Sequence, residues 1–229
     1  MKKVIFFTFM AALLCSCHTP SSISRNLAQE RSELVKMTSA EVSRKATKTA
    51  RDEAKRLKKE GWTVAPGALP LDKQLDRAYM MQYEFDENLY PKYLMGEAMS
   101  IGTNYDGAKM QALELAKQNL AGNIQTEVAA LTKNTLGNKQ LGNDEAATIT
   151  KSVAASKSYI SQSLGRTLIV TEAYRTLPNK NKEVLVRIAY NFDMAMEAAQ
   201  KAIKKDLEEQ GEDLLNELDA IFSHKLNQE

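Results

Sequence analysis

Two cysteines, Cys15 and Cys17, are separated by a single residue in the segment AALLCSCHTP, and no other cysteine occurs in the 229-residue chain. A thiol can form a disulfide, bind a metal ion or accept a covalent group, so the residues before the pair decide which chemistry applies. Lys2 and Lys3 are followed by eleven apolar or near-apolar residues at positions 4–14. A positive start and a short apolar run are typical of a secretory signal peptide, whereas crossing a bilayer takes roughly 20 apolar residues.

Residues 14–17, Leu-Cys-Ser-Cys, fit the short box of a bacterial lipoprotein signal. In such a box an aliphatic, a variable and a small residue precede the cysteine that receives lipid. Cys17 follows the small Ser16, whereas Cys15 follows the bulky Leu14. We therefore predict that residues 1–16 are the signal peptide and that Cys17 is the mature N-terminus and the lipidation site. Cleavage without lipid attachment is the alternative.

This assignment predicts a location. Thiols left free in an oxidising compartment pair or react, and a lipid-capped Cys17 avoids that. Two or three acyl chains, palmitate among them, would hold the protein stably on a membrane. Residues 17–38 are expected to be a tether, and no acidic run follows Cys17. We expect a cell-envelope lipoprotein anchored in the outer membrane and facing the periplasm.

Other residues that could do chemistry are few. The chain has two histidines, His18 in the predicted tether and His224 near the end, and neither stands in a nucleophile or zinc motif. The acidic residues within 84–87, Glu-Phe-Asp-Glu, could supply paired carboxylates, but EF-hand spacing is absent. Trp62 could stack on a ligand or cover the core beside a loop. We predict no catalytic, cofactor-binding or metal-binding site.

The charges exclude one class of partner. Lysine and arginine number 31 against 29 acidic residues, and Lys2 and Lys3 account for the difference. No global positive field remains to bind nucleic acid. Locally, residues 24–60 hold eleven basic and six acidic side chains, and residues 206–219 hold seven acidic ones. The basic stretch either meets anionic head groups or, as we expect, pairs with the acidic helix of the same chain.

The N-terminal third is predicted to be helical. Residues 38–41, Thr-Ser-Ala-Glu, have the form of a capping box, and Gly61 is placed to end the helix in the left-handed conformation. The apolar stripe between them consists of Ala46, Ala50, Ala54 and Leu57. After a loop with prolines at 66 and 70, residues 71–83 are predicted as a second helix, and residues 39–90 as an N-terminal extension.

Three segments follow the period of a strand. Residues 93–101 alternate large residues with small ones, which leaves room for a helix to lie close to the small side. Residues 166–177 and 183–192 flank a five-residue turn and predict an antiparallel hairpin with one buried face. That face consists of Val184, Val186, Ile188, Tyr190 and Phe192.

Between these strands the spacing is helical. Residues 103–106 are a capping box in its aspartate form, and they open a long helix. Its apolar face is predicted to hold Ala108, Ala112, Leu115, Ala116, Leu120, Ile124, Val128 and Leu131. Asn143 can cap a second helix over residues 144–164, which Gly165 would close.

All residues from Asp193 onward are predicted to be helical. The apolar stripe of Leu207, Leu214, Leu218 and Ile221 is interrupted by Gly211. It could be a short coiled-coil seam, but we expect a terminal helix packed on its own domain. The fold class is therefore α+β, with a small three-stranded antiparallel sheet packed against long amphipathic helices. Residues 91–193 form the α+β domain, and residues 194–229 the C-terminal helix.

The order of these elements resembles a known family. With AKMQALELAKQNLAGNIQTEV on the long helix and VLVRIAYNFD on the last strand, residues 93–192 resemble the bacterial family named for a twenty-kilodalton membrane lipoprotein. They are also similar to the N-terminal domain of a flagellar assembly protein. The alanine-rich helix pattern of the lipoprotein family matches Ala108, Ala112, Ala116, Asn119, Leu120 and Ala121. The resemblance implies an envelope lipoprotein, and no catalytic residue comes with it.

Three functions remain open. We expect a non-catalytic binding or scaffolding module that meets another envelope protein, with its membrane contact made through the N-terminal lipid. The first alternative is a periplasmic carrier of a small apolar or cell-wall ligand, held in a groove between the sheet and the alanine-lined helix. A cavity there would support this alternative, and a filled core would oppose it. The second alternative is an envelope enzyme.

Overall fold

Three antiparallel strands form the sheet of this protein. In the computed structural model, which describes residues 44–137, 143–208 and 212–226, they are β1 (Tyr93–Gly102), β2 (Leu168–Thr176) and β3 (Lys182–Asn191). Their order is β1-β3-β2, so the hairpin partner β3 is central and the other two strands are the edges. The α+β class and the three-stranded antiparallel sheet predicted from the sequence are confirmed.

Seven helices accompany the sheet in the described part of the chain. They are α1 (Lys48–Lys59), α2 (Leu71–Gln82), α3 (Tyr105–Gly137), α4 (Asn143–Ala155), α5 (Lys157–Ser163), α6 (Phe192–Leu207) and α7 (Glu212–Leu226). All described residues except Arg44 belong to one compact unit, Lys45–Glu229. None of the described helices combines the length and the apolar character that a bilayer crossing requires.

The first face of the sheet lies under α3. The buried residues of β3 on this face pack with the buried face of α3 in the largest apolar cluster. A Cβ placed on Gly96 would lie 2.3 Å from the carbonyl oxygen of Ala116 and 2.7 Å from the Cβ of Leu120. The helix therefore lies against the small side of β1, as predicted. At Gly96 this contact leaves no space for a ligand between β1 and α3.

The second face of the sheet is also buried, and here the predicted hairpin with one buried face is wrong. Ala173 and Leu185 pack in one cluster with Trp62 and with apolar residues of α1 and α2. Val170 and Ala189 pack in a second cluster with residues of α2. The alternation within β3 did not predict this burial, because the covering helices lie about a hundred residues earlier in the chain. Trp62 covers the core, as expected.

The first helix begins later than predicted. Residues 45–47 are not helical, and the Thr47 side chain accepts a hydrogen bond from Ala50 N at 3.4 Å. The Thr47 amide donates to Asp76 Oδ1 at 2.9 Å, which holds the start of α1 beside α2. The predicted capping box at 38–41 lies outside the described residues. At the other end Gly61 has φ +89°, so its predicted left-handed conformation is confirmed.

The boundaries of α3 and α5 differ from the predictions in detail. Asn104, rather than Thr103, caps α3, since its Oδ1 accepts from Gly107 N at 2.8 Å. Leu115 is 36% exposed and lies off the buried face. The helix predicted over 144–164 is broken at Ser156, whose hydroxyl donates to Val153 O at 2.7 Å. Gly165 does not have a positive φ; Leu164 ends α5 in an extended conformation instead.

The C-terminal helices pack on their own domain, as expected. Leu207, Leu218 and Ile221 are fully buried in the same cluster as α3. The basic and acidic segments are expected to pair, but their helices α1 and α7 pack in different apolar clusters. The basic α1 lies on the second face of the sheet, whereas α7 packs with the cluster on the first face. Arg56 of α1 instead pairs with Glu53 and Glu60 of its own helix region.

Candidate functional site

Three large apolar side chains project from the connection between α2 and β1. Tyr83 is 69% exposed, Phe85 48% and Leu89 80%. We call residues 83–91 the apolar loop. Scattered exposed apolar residues are ordinary, but several in one short segment are typical of an interaction surface.

The apolar loop is held by its own hydrogen bonds. Asp86 Oδ1 accepts from the amides of Asn88 at 2.9 Å and Tyr90 at 2.8 Å. The Asp86 amide donates to Tyr90 O at 2.8 Å, and Leu89 N donates to Asp86 O at 3.1 Å. The aspartate thus closes a tight turn in the way this residue often does. The side chains at the turn are therefore presented on a formed backbone.

Leu89 has a backbone conformation that leucine rarely adopts. Its φ is +64°, in the left-handed region where glycine and asparagine are favoured. A bulky residue there costs on the order of 1–3 kcal/mol, and such outliers concentrate at functional sites. The side chain recovers little of this cost by burial, since most of its surface faces solvent. Neither backbone preference nor packing within the domain therefore explains a leucine at this position.

The charges of the apolar loop are mainly acidic. Glu84, Asp86 and Glu87 lie within it, and Lys92 follows it. Lys92 Nζ lies 2.9 Å from Glu84 Oε1, and this hydrogen bond raises the pKa of Lys92. Two of the three carboxylates considered for acid–base chemistry are thus used otherwise: Asp86 forms the turn and Glu84 forms an ion pair.

The candidate cysteine and histidine residues lie outside the described residues or in α7. Cys17 and His18 lie outside the described residues, so the predicted lipidation site stays a prediction. His224 lies in α7, far along the chain from the acidic residues of the apolar loop. No group of three or more potential metal ligands occurs within residues 44–137, 143–208 and 212–226.

Trp62 is not an open stacking platform. It is buried, and the Arg175 guanidinium lies over its ring at 4.8 Å from the centroid. Arg175 is itself paired with Glu183, Nε to Oε2, at 2.6 Å. The cation and the protein core therefore occupy the surfaces that a ligand would need.

One polar cluster was missed by sequence reasoning. Tyr105 at the start of α3 donates a hydrogen bond to Glu172 of β2, and Lys109 Nζ lies 2.9 Å from Glu172 Oε1. Burial, followed by the bond to Glu172, raises the pKa of Tyr105. The phenol therefore stays protonated at neutral pH and suits a structural clasp rather than a base. No local pattern reveals it, because the partners are 67 residues apart.

Searches of protein-family models, of curated proteins and of solved structures give no match to this chain. The resemblance of residues 93–192 to the lipoprotein family therefore stays a prediction. A function for this chain can be inferred only from its sequence and from the geometry of the described residues.

Proposed function

We propose that this chain is a lipid-anchored protein of the cell envelope that acts as a non-catalytic binding module. In this proposal Cys17 carries the lipid, the tether links it to the folded unit, and the apolar loop docks on another envelope protein. The observation that carries the docking role is Leu89, which is bulky, mostly exposed and held at a positive φ.

The anchor is supported by the sequence. Lys2, Lys3, the apolar run at 4–14 and Ser16 before Cys17 have the order of a lipoprotein signal. The absence of an acidic run after Cys17 favours the periplasmic side of the outer membrane. The lipid supplies the membrane contact, so the folded unit is left to bind a second partner.

The docking role is supported by the composition of the apolar loop. Aromatic residues are enriched at the centres of protein interfaces, and a few such anchors contribute most of the binding free energy. Tyr83 and Phe85 are aromatic, and Leu89 is the most exposed of the three. Because the loop is already hydrogen-bonded into a turn, binding would cost little ordering entropy.

The charges indicate the chemistry of the partner. Glu84, Asp86 and Glu87 would be repelled by anionic lipid head groups, which disfavours insertion of the apolar loop into a bilayer. They complement a protein surface in which an apolar pocket is bordered by lysine or arginine. A protein with such a pocket is therefore the partner that this loop fits.

The anchor is tested by metabolic labelling with a clickable palmitate analogue. The full-length chain should take up the label, Cys17→Ser should abolish it, and the control Cys15→Ser should retain it, because Cys15 leaves with the signal peptide. Label that persists in Cys17→Ser would contradict the proposed anchor.

The docking role is tested by crosslinking the full-length chain in intact cells. Leu89→Asn removes the apolar side chain and keeps a residue that tolerates positive φ, so the fold is retained. We expect the crosslinks formed by the apolar loop to fall about tenfold or more, as for a central interface residue. The control Met110→Asn changes an equally exposed residue on α3.

The partner's chemistry is tested in the same cells by Glu87→Lys, which should weaken the crosslinks if basic residues border the pocket. Equal crosslinking of Leu89→Asn, Met110→Asn and the natural chain would overturn the docking role. Crosslinks from the loop to lipid alone would overturn the assignment of a protein partner.

A further inference from the structure

An open apolar groove lies between the second half of α3 and the helix α4. Its volume is about 820 Å³, within the range of small-molecule sites. The lining includes Ala129 and Leu136 of α3 and Ala147 and Ala154 of α4. At 1.5 Å per residue these pairs extend about 10–12 Å along the helices. The groove is therefore elongated, and aliphatic groups form its apolar lining.

Two lysines also line this groove, one on each helix. Lys133 of α3 and Lys151 of α4 are both exposed. Neither side-chain ammonium group forms an ion pair or a hydrogen bond with the residues that the structure describes. Two uncompensated ammonium groups beside an apolar surface complement a ligand that has an anionic head and an apolar chain.

A buried hydroxyl points to the same kind of ligand. Thr132 lines the groove, is 2% exposed, and its Oγ1 has no hydrogen-bond partner in the described structure. The hydroxyls of Thr126 and Thr150 donate to the carbonyl four residues earlier, to Gly122 O at 2.9 Å and to Ala146 O at 2.7 Å. Buried hydroxyls are usually paired, and both Thr132 and the similarly buried Thr135 depart from this rule in the described structure, but of these two Thr132 lines the groove.

The geometry points to a binding site for a single-chain anionic amphiphile. The acyl chain lies along the alanines between α3 and α4, and the carboxylate or phosphate head pairs with Lys133 and Lys151. Rotation of the buried Thr132 side chain would let its hydroxyl donate to an oxygen of the head group. This site is separate from the apolar loop, so the result of its test does not depend on the proposed docking role.

The test uses photoactivatable, clickable probes and the full-length chain, in whichever cell fraction contains it. One arm adds a fatty acid probe, one a lysophospholipid probe, and one the uncharged fatty alcohol. After irradiation, the labelled peptides are mapped by mass spectrometry. Mapping separates groove labelling, expected in residues 129–136 and 146–154, from any lipid attached at Cys17.

Matched variants give the expected pattern. Ala129→Phe fills the groove and should abolish labelling, whereas Ala130→Phe changes the next exposed alanine, which does not line the groove, and should retain it. Lys133→Glu with Lys151→Glu should lower labelling by the anionic probes about tenfold or more and leave the alcohol probe unchanged. The stronger of the two anionic arms identifies the head group as carboxylate or phosphate.

Three results would overturn the site. Labelling spread over all exposed apolar residues would show nonspecific contact. Equal labelling of the Ala129→Phe and Ala130→Phe variants would show that the groove is not used. Absence of probe labelling in residues 129–136 and 146–154 of the natural chain would show that no such amphiphile binds there.

Discussion

The two halves of α3 use alanine in opposite ways. In the first half Ala108, Ala112 and Ala116 are fully buried against the sheet. In the second half Ala129 and Ala130 are exposed, and Ala129 lines an open groove. The same residue type, on one continuous helix, thus gives a closed interface at one end and an open surface at the other.

The difference comes from what lies opposite the helix. Opposite the first half are Gly96 and Gly102 of β1, whose missing side chains let the helix backbone approach. Opposite the second half is α4, which contributes Ala147 and Ala154 to the groove. Two facing small residues leave a gap between their helices unless the two backbones also come close together. Alanine content alone therefore predicts neither packing nor a ligand site.

The sharpest test of this comparison is a pair of glycine substitutions. Gly96→Ala places a Cβ 2.3 Å from a backbone oxygen that cannot move alone, so we expect a loss of about 3 kcal/mol in the free energy of unfolding. Gly122→Ala, within α3, meets only the flexible Lys157 side chain at 3.4 Å and should gain about 0.5–1 kcal/mol. Urea unfolding measures both, and a neutral Gly96→Ala would show that the interface is not closed.

Alanine enlargement compares the two halves directly. Ala112→Leu adds volume at a fully buried position and should cost about 2 kcal/mol by overpacking. Ala129→Leu adds the same volume at the groove, where space is open, and should change stability by no more than about 0.5 kcal/mol. Thermal unfolding followed by circular dichroism gives the ranking. Equal losses in the two variants would contradict the distinction between the halves.

A smaller effect is expected from two asparagines of α3 that contact β1. Asn119 Nδ2 donates to Glu97 O and Asn123 Nδ2 to Met95 O, each at 2.8 Å, so α3 satisfies carbonyls of the edge strand β1. Asn119→Ala and Asn123→Ala should each cost about 0.5–1 kcal/mol. Asn134→Ala, on the exposed side of the second half, should gain a few tenths from helix propensity. Equal changes in the free energy of unfolding for all three variants, measured in urea, would argue against the hydrogen bonds from Asn119 and Asn123 to β1 as a source of stability.

The smallest effect concerns pH and α7, which packs with the cluster that contains α3. Asp219 accepts hydrogen bonds from Lys204 and Gln200 of α6, and chiefly the bond from Lys204 lowers the pKa of Asp219. Its contribution to stability is therefore present above the unfolded value of about 3.9 and is lost as the pH falls through the lowered pKa.

Asp219→Asn removes this contribution. It should cost a few tenths of a kcal/mol at pH 7, because the pair is partly exposed, and nothing in strong acid. The free energies of unfolding of Asp219→Asn and the natural chain, measured across the acid range, should become equal as the pH falls. A difference between them that grows as the pH falls would contradict this role of Asp219.

Elements with a clear period were predictable. The antiparallel pairing of β2 and β3, the small side of β1 and the long α3 all follow from spacing that is local to each segment. The ends of the helices were less predictable from the sequence. Asn104 replaces the predicted Thr103 as a cap, since several nearby side chains can accept from a first-turn amide and tertiary contacts select among them. Thr47 caps α1, and the cap predicted at 38–41 lies outside the described residues.

The candidate site was largely hidden from the sequence. Glu84, Asp86 and Glu87 drew attention as carboxylates, whereas the exposed Tyr83, Phe85 and Leu89 did not. Leucine disfavours a positive φ, so nothing local predicts Leu89 there. A groove between α3 and the sheet was considered only for the alternative function of a carrier, and the structure has an open groove between α3 and α4. The backbone conformation of the loop and the spacing of the two helices are not recorded in local periodicity.

By itself the sequence determined the order of helices and strands, the pairing of the hairpin and the face of β1 on which a helix can lie, because periodicity and residue size act within a segment. Only the tertiary structure decided that both faces of the sheet are buried, which alanines of α3 are covered and which apolar side chains reach solvent. The physical reason is that burial belongs to pairs of surfaces. The sequence of a segment shows which of its surfaces can be buried. The rest of the chain decides which element packs against that surface.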